Sequence, residues 1–295
     1  MQMGLVGTKQ QENSLRFWSG LLMKDKPLVS VVVPTFNSER FLEKCLKSIQ
    51  EQIYRNIEVI VVDNYSTDST REIAEKYADL VLLMSSERCA AVNFGVRHAR
   101  GKYVYRVDSD SVVEPNVVEE AVRKCEVEGF DAVCVHNTSD AGVSFWARVR
   151  KLERDCYADD ELNVAARFFR KEAFEKVGGF NERLVAAEDY DLHNRLLKHG
   201  FKIGHVESKE IHIGEPRSLL DIAKKHYYYG KTVKRFLDAN PNIGIKQISP
   251  LRSAFIRNWK NFAKHPSLTF GFILYQIVRY LAAGFGYLSS LSETD

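Results

Sequence analysis

The chain has 295 residues, 45% of them hydrophobic and 27% charged. That is the balance of a globular protein with a sizeable core, and it excludes disordered, collagen-like and repeat architectures. The five cysteines are odd in number and form no Cys-x-x-Cys pair, so a reducing compartment fits better than a disulfide framework or a cysteine zinc site. The net charge of +3 is small, but residues 217–266 hold eleven basic and two acidic side chains, which leaves the rest of the chain acidic.

In chain order, residues 1–26 contain SLRFWSGLLM, an apolar and aromatic stretch too short to span a bilayer and without the basic start and small-residue cleavage site of a signal peptide. A membrane-proximal amphipathic segment is expected there. From 27 to 215 the sequence alternates apolar, β-branched runs with polar helix starts. Residues 29–33 end at Pro34, 57–62 end at Asp63, 80–83 precede a serine pair, and 103–107 end at Asp108. This pattern predicts an α/β domain with a mostly parallel sheet covered by helices. Ligands of such sheets bind beyond the carboxyl ends of the strands, where Pro34, Asp63 and Asp108 converge.

Candidate chemistry clusters at those ends. Asp108-Ser109-Asp110 follows a buried strand, and two neighbouring carboxylates make a hard oxygen site for Mg²⁺ or Mn²⁺ beside a diphosphate. Asp63 is placed to accept hydrogen bonds from a base. The turn after the first strand, PTFNSE, carries no Gly-x-Gly-x-x-Gly, which argues against a dinucleotide site. Glu188, Asp189 and Asp191 open a helix, where acids are favoured by the dipole. Three acids in four residues exceed what capping needs, and one of them can serve as a general base toward an acceptor hydroxyl. His212 is either a structural histidine or a group that completes a metal site or touches a diphosphate. Tyr228 and Lys231 are placed for an acceptor or for the membrane interface.

Residues 251–264 place Leu251, Phe255, Ile256, Trp259 and Phe262 near helical spacing among basic residues, as an interfacial helix does. The segment 216–266 is therefore read as basic amphipathic interface helices, and its aromatic, apolar content points to lipid rather than nucleic acid. Residues 267–291 carry one charge, Arg279, and are long enough to cross a bilayer. A central arginine costs about 2.5–3.5 kcal/mol on insertion scales. The tail 267–295 is thus a spanning helix with Arg279 paired, a segment lying in the interface, or a buried helix of a soluble core. Its apolar surface also suits self-association into a homo-oligomer.

Taken together, VSVVVPTFNSERFLEKCLKSI, IEVIVVDNYSTDST, ARGKYVYRVDSD and VGGFNERLVAAEDYDLHNRLLKHGFKI resemble the inverting family 2 glycosyltransferases of GT-A fold, over about residues 27–212. The resemblance implies a nucleotide-diphosphate sugar donor and Mn²⁺ or Mg²⁺. It assigns Thr35, Glu39 and Asp63 to the nucleotide side, and Asp108 and Asp110 to ribose, metal and diphosphate; by their own positions Pro34 is placed beside the nucleotide and His212 as a further metal ligand. Asp189 would be the catalytic base, with Glu188, Asp191, Tyr228 and Lys231 on the acceptor side. The arginine that many members carry before the helix glycine is absent from Ala91-Val92-Asn93-Phe94-Gly95, and Arg88 is its nearest substitute. The C-terminal helices look like those of membrane-bound members, cellulose-synthase-like and dolichol-linked mannosyltransferases among them. The Gln-x-x-Arg-Trp motif of processive synthases is absent, so a single-sugar transfer is expected. The donor taken as the first candidate is GDP-mannose and the acceptor a lipid-linked glycan at the cytoplasmic face of the cell membrane. A lipid-phosphate acceptor or a UDP-sugar donor is the alternative, and a non-catalytic sugar-nucleotide or lipid-binding scaffold the contrasting class.

Overall fold

The computed structural model describes residues 26–158 and 160–292. The expected N-terminal amphipathic segment falls outside them.

The elements run β1 (Val29–Thr35), α1 (Leu42–Gln50), β2 (Ile57–Asp63), α2 (Thr70–Tyr77), β3 (Leu80–Leu83), α3 (Arg88–His98), β4 (Tyr103–Arg106), β5 (Ser111–Val113), α4 (Val117–Val127) and β6 (Ala132–Ser139). There follow α5 (Phe145–Asp155), β7 (Ala166–Arg170), α6 (Lys171–Lys176), α7 (Glu188–Lys198) and β8 (Ile203–His212). The helical cover is α8 (Leu219–Gly230), α9 (Val233–Ala239), α10 (Gly244–Ile248), α11 (Ser253–Arg257), α12 (Trp259–Lys264) and α13 (Pro266–Ser292).

The strands form one eight-stranded sheet in the order β3-β2-β1-β4-β7-β6-β8-β5. The four apolar runs expected from sequence become β1 to β4, paired in parallel. Both faces are covered, so alternate residues of one strand enter different cores. Val29, Val31 and Val33 join the layer of α1 and α4, whereas Val32 joins that of α3 and α7. Close approach of α3 requires Gly95, since a Cβ there would sit 2.5 Å from Val32 Cγ1.

β7 and β5 run against the other strands. The start of β7, rather than its end, therefore reaches the edge where β1, β2 and β4 finish. A register shift between β6 and β7 leaves Arg167 out of the pairing and aims it at that edge. β8 alternates buried and open positions, so Glu210 and His212 point inward.

The segment expected as one interfacial helix over 251–264 is broken at Asn258, whose Nδ2 donates to the carbonyls of Ala254 and Cys156. Phe255 and Phe262 turn inward against Phe272, while Leu251, Ile256 and Trp259 stay exposed. α13 is seated on the domain by one face. It meets α8 where Gly230 lies against Ala283 and Gly286 against Tyr227, so close that a Cβ at either glycine would collide with backbone. Arg279 pairs with buried Glu153 of α5 at 2.9 Å, which supplies the partner this intrahelical charge needs. The opposite face exposes Phe270, Ile273, Ile277, Leu281, Phe285 and Leu288.

Candidate active site

At the β1 and β2 ends the loops are laced together. Asp63, fully buried, accepts from the Ser66 backbone N–H at 3.0 Å and from Ser66 Oγ at 2.5 Å. The Asn37 N–H donates to Ser66 Oγ, and the Thr67 N–H donates back to Asn37 Oδ1. Glu39 lies at the surface and accepts from the Ser69 N–H, next to the start of α2. Ser38 and Ser109 share a 3.0 Å hydrogen bond that ties the first loop to the Asp-Ser-Asp turn. Asn37 and Tyr65 have positive φ, as has Ala187 immediately before α7. Non-glycine residues held there cost of order 1–3 kcal/mol each and gather at functional sites. Thr35 Oγ1 is buried with no hydrogen-bond partner among the described residues. Phe36 and Tyr65 stand exposed at the rim.

The β4–β7–β8 side is built from ion pairs. Arg106 closes β4 and is buried, yet it reaches Asp108 at 2.8 Å, Glu188 at 3.4 Å and Asp189. Arg167 contacts Asp108 at 2.8 Å, Glu210 at 3.0 Å and Asp189 at 3.8 Å. Arg88 pairs with Glu188. Burial alone would raise the Asp108 pKa, but Arg106 and Arg167 outweigh it and hold the group well below the usual carboxylate range. Glu188 goes the other way. Burial pushes it up, Arg88 opposes the shift and Asp189 adds to it.

The two adjacent acids are thus separated by environment. The Glu188 side chain is 3% exposed, whereas that of Asp189 is 30% exposed, on a cavity of about 920 Å³. Asp191 faces elsewhere, pairing with Arg195 and accepting from Asn240 Nδ2. Tyr228 donates to Glu87 at 2.6 Å, which ties α8 to the start of α3, and Lys231 lies over the Tyr227 ring. His212 and Glu215 line the same cavity; Asp110 Oδ2 stands 3.3 Å from His212 Nε2, and His212 Nδ1 lies 3.2 Å from Glu215 Oε1. Gly214 lies so close to Asp110 that any Cβ there would collide with its carboxylate.

The family model for glycosyl transferase family 2 matches residues 30–182. GlyG of Streptococcus pneumoniae serotype 4 is 35% identical, over 79% of this chain and 75% of its own length. The chain belongs to glycosyl transferase family 2. The Escherichia coli chondroitin synthase is 30% identical over 78% of this chain. That match spans only 35% of the synthase, and two Rickettsia glycosyltransferases are spanned over 57% and 59% of theirs. Among solved structures, a mannosyltransferase from Pyrobaculum calidifontis in complex with GDP-Man and Mn²⁺ superposes with a TM-score of 0.61, at 18% identity over 95% of both chains. Staphylococcus aureus TarS 1–349 in complex with UDP-GlcNAc gives 0.51, at 19% identity over 86% of this chain and 79% of its own. Both share the GT-A fold that this family 2 chain adopts.

A divalent metal was expected on Asp108, Asp110 and His212. Both oxygens of Asp108 are engaged by arginines, and no group of three or more His, Cys, Asp or Glu stands ready for a metal among the described residues. Asp110 and His212 still fit the role. Their oxygen and nitrogen lie 3.3 Å apart, Glu215 stands behind the imidazole, and Mg²⁺-type sites usually combine one or two carboxylates with substrate phosphates. Sequence reasoning missed Arg106, Arg167 and Glu210. The available signal was a charged residue at an inward position of an otherwise apolar strand, as in Tyr103-Val104-Tyr105-Arg106.

Proposed function

We propose that this family 2 chain is an inverting glycosyltransferase that moves one sugar from a nucleotide-diphosphate donor to a hydroxyl of a lipid-linked glycan. The observation that carries this reading is the placement of Asp189, half-open to the cavity, while its neighbour Glu188 is buried against Arg88 and Arg106. A sugar hydroxyl must lose its proton as it attacks, and a positioned carboxylate contributes typically about 10²–10⁴-fold. Attack from the side opposite the leaving group inverts the anomeric centre, so an α-linked donor gives a β-linked product. Arg106 and Arg167 orient the Asp189 carboxylate, and Glu188 positions Arg88 and Arg106 from behind. Pro34, Thr35 and Asp63 border the nucleoside. Asp110 and His212 are the residues that would hold Mn²⁺ or Mg²⁺, which when bound offsets the charge of the departing diphosphate.

GDP-mannose heads the donor series and the UDP-sugars follow, since solved neighbours of this fold are complexed with GDP-Man and with UDP-GlcNAc. The exposed stripe of α13 and the basic helices before it support attachment to a membrane surface. The helix would lie along the interface, because its other face is occupied by α8 and by the Arg279–Glu153 pair. All five cysteines are free and buried, which suits the cytoplasmic side.

The deciding experiment measures transfer of labelled sugar from GDP-mannose and UDP-sugars, with Mn²⁺, to lipid-linked oligosaccharide. Product formed by the wild type and lost in Asp189→Asn supports the reading. Full transfer by Asp189→Asn to a bare polyprenyl phosphate would reassign the chain as a lipid-phosphate glycosyltransferase. Attachment is tested with anionic vesicles: apolar burial survives about 1 M NaCl, whereas attraction by basic residues alone is screened. A chain that stays in the supernatant would exclude the membrane.

A further inference from the structure

Beyond Asp189 the cavity continues under α5, α8 and α13, and four arginines line it there. Arg150 and Arg154 come from α5, Arg252 from the turn before α11 and Arg279 from α13. Two carboxylates answer them. Glu153 takes Arg150 and Arg279, and Glu215 takes Arg154 at 3.3 Å. Glu215 is already shared with Ser139 and His212. Four guanidinium groups thus face two carboxylates in this part of the cavity, a chamber that stays partly open to solvent.

Arg252 is the group left over. It is 6% exposed, its Nε donates to the Ser249 carbonyl at 3.1 Å, and its guanidinium lies 5.1 Å from the Tyr157 ring centroid. Its two Nη groups have no hydrogen-bond partner among the described residues. Neither Nη is among the fully buried unsatisfied atoms, so the open side of the guanidinium is left to the cavity, where an anion can reach it. Burial opposes the charged form of Arg252, but the surrounding tyrosines and Glu153 favour it, so the group stays cationic. Burial pushes His226 down to about 2, with Arg279 and Arg150 adding to the shift, so it stays neutral. Burial and Arg150 also push the Arg154 pKa down, as expected for cations crowded together. Tyr190, next in sequence to Asp189, lines the same chamber, as do Tyr275 and Tyr280.

We propose that this arginine chamber is an acceptor subsite for an oxyanion, the carboxylate of an acidic sugar or the phosphate of a lipid carrier, with Arg252 as its principal ligand. The planar guanidinium fork matches either group through two parallel hydrogen bonds, and the tyrosine rings offer flat apolar surface to the attached sugar. The anion would anchor the acceptor while its free hydroxyl is presented to Asp189. This rests on the acceptor side proposed above, but binding can be read without turnover.

The test is equilibrium binding, with UDP or GDP plus Mn²⁺ present to fill the donor side. Two matched pairs are titrated: octyl β-glucuronide against octyl β-glucoside, and farnesyl phosphate against farnesol. At least one charged probe is expected to bind at least about tenfold tighter than its neutral partner, the factor one charged hydrogen bond supplies. Which pair shows the difference identifies the source of the anion. Arg252→Gln should erase the preference, and Arg252→Lys, which keeps the charge, should retain part of it. Equal binding within both pairs by the wild type overturns the proposal whether or not any variant folds. So does a preference that survives unchanged in a folded Arg252→Gln. A transferase that turns over yet shows no charge preference would sink this subsite alone, whereas a charge preference without sugar transfer would sink the proposed reaction alone.

Discussion

At the ends of β1 and β2, polar groups other than Thr35 Oγ1 are satisfied by hydrogen bonds to neighbours in the chain or in the adjoining loop, as Asp63 is by Ser66 and Asn37 by Thr67. At the ends of β4 and β8 and the start of β7, they are satisfied by charge, with Arg88, Arg106 and Arg167 set among Asp108, Glu188, Asp189 and Glu210. The first arrangement is short-range and rigid, which suits a fixed nucleoside. The second joins segments as much as 100 residues apart, Arg88 to Glu188 among them. Buried ion pairs are poor sources of net stability, but breaking one is expensive. This side is therefore expected to be sensitive to single changes and to tolerate rearrangement when a diphosphate and an acceptor enter.

The largest effect should come from the pole of the charged side that is open to a metal. Asp110→Ala should lower turnover by at least about a thousandfold, since a metal supplies several kcal/mol of charge stabilisation. The fold should survive, because the Asp110 side chain is 31% exposed and packs little. Near-wild-type transfer with Mn²⁺ present would show that the metal lies elsewhere. Next comes Asp189→Asn, which keeps the shape and removes the basicity. It should cut kcat at least about a hundredfold and leave donor binding nearly unchanged in a nucleotide titration. A loss confined to KM would mean that Asp189 holds substrate and moves no proton.

A smaller change would separate the helical cover from the sheet. Gly286→Leu forces a side chain into the Tyr227 backbone, and overpacking of this kind typically costs about 1–3 kcal/mol. Hydrogen exchange should quicken over Pro266–Ser292 and stay slow in β1 and β2. Uniform loss of protection would show that cover and sheet unfold as one unit. The smallest effect is a slope with pH. Burial lowers His193 to about 4 and His226 to about 2 in the folded chain. The unfolded chain takes up those protons below about pH 6.5, so stability falls as pH drops from there toward each folded value, by about 1.4 kcal/mol per pH unit for each histidine. Chemical denaturation between about pH 6.5 and 5 should show this slope, and His226→Phe should remove about half of it. An unchanged slope would place His226 in contact with water.

The sequence alone determined the parallel core and the residues at its edge. β-branched runs, polar helix starts and acids at strand ends are local signals, and each falls within a few residues of its element. Asp63, Asp108, Asp110 and Asp189 could be singled out because each stands at a strand or helix terminus, where polarity changes abruptly. Tertiary structure decided which acid meets which cation. β7 runs antiparallel and slips its register, so Arg167 arrives beside Arg106, and the two arginines together engage both oxygens of Asp108. It also decided how the apolar tail packs on the domain. Length and composition alone allowed a spanning helix, an interfacial one or a core one. Glu153, on a helix more than a hundred residues earlier, supplies the partner for Arg279. Ion pairs of this kind depend on distance in space, which one-dimensional periodicity does not encode, whereas strands and helix caps depend on neighbours along the chain.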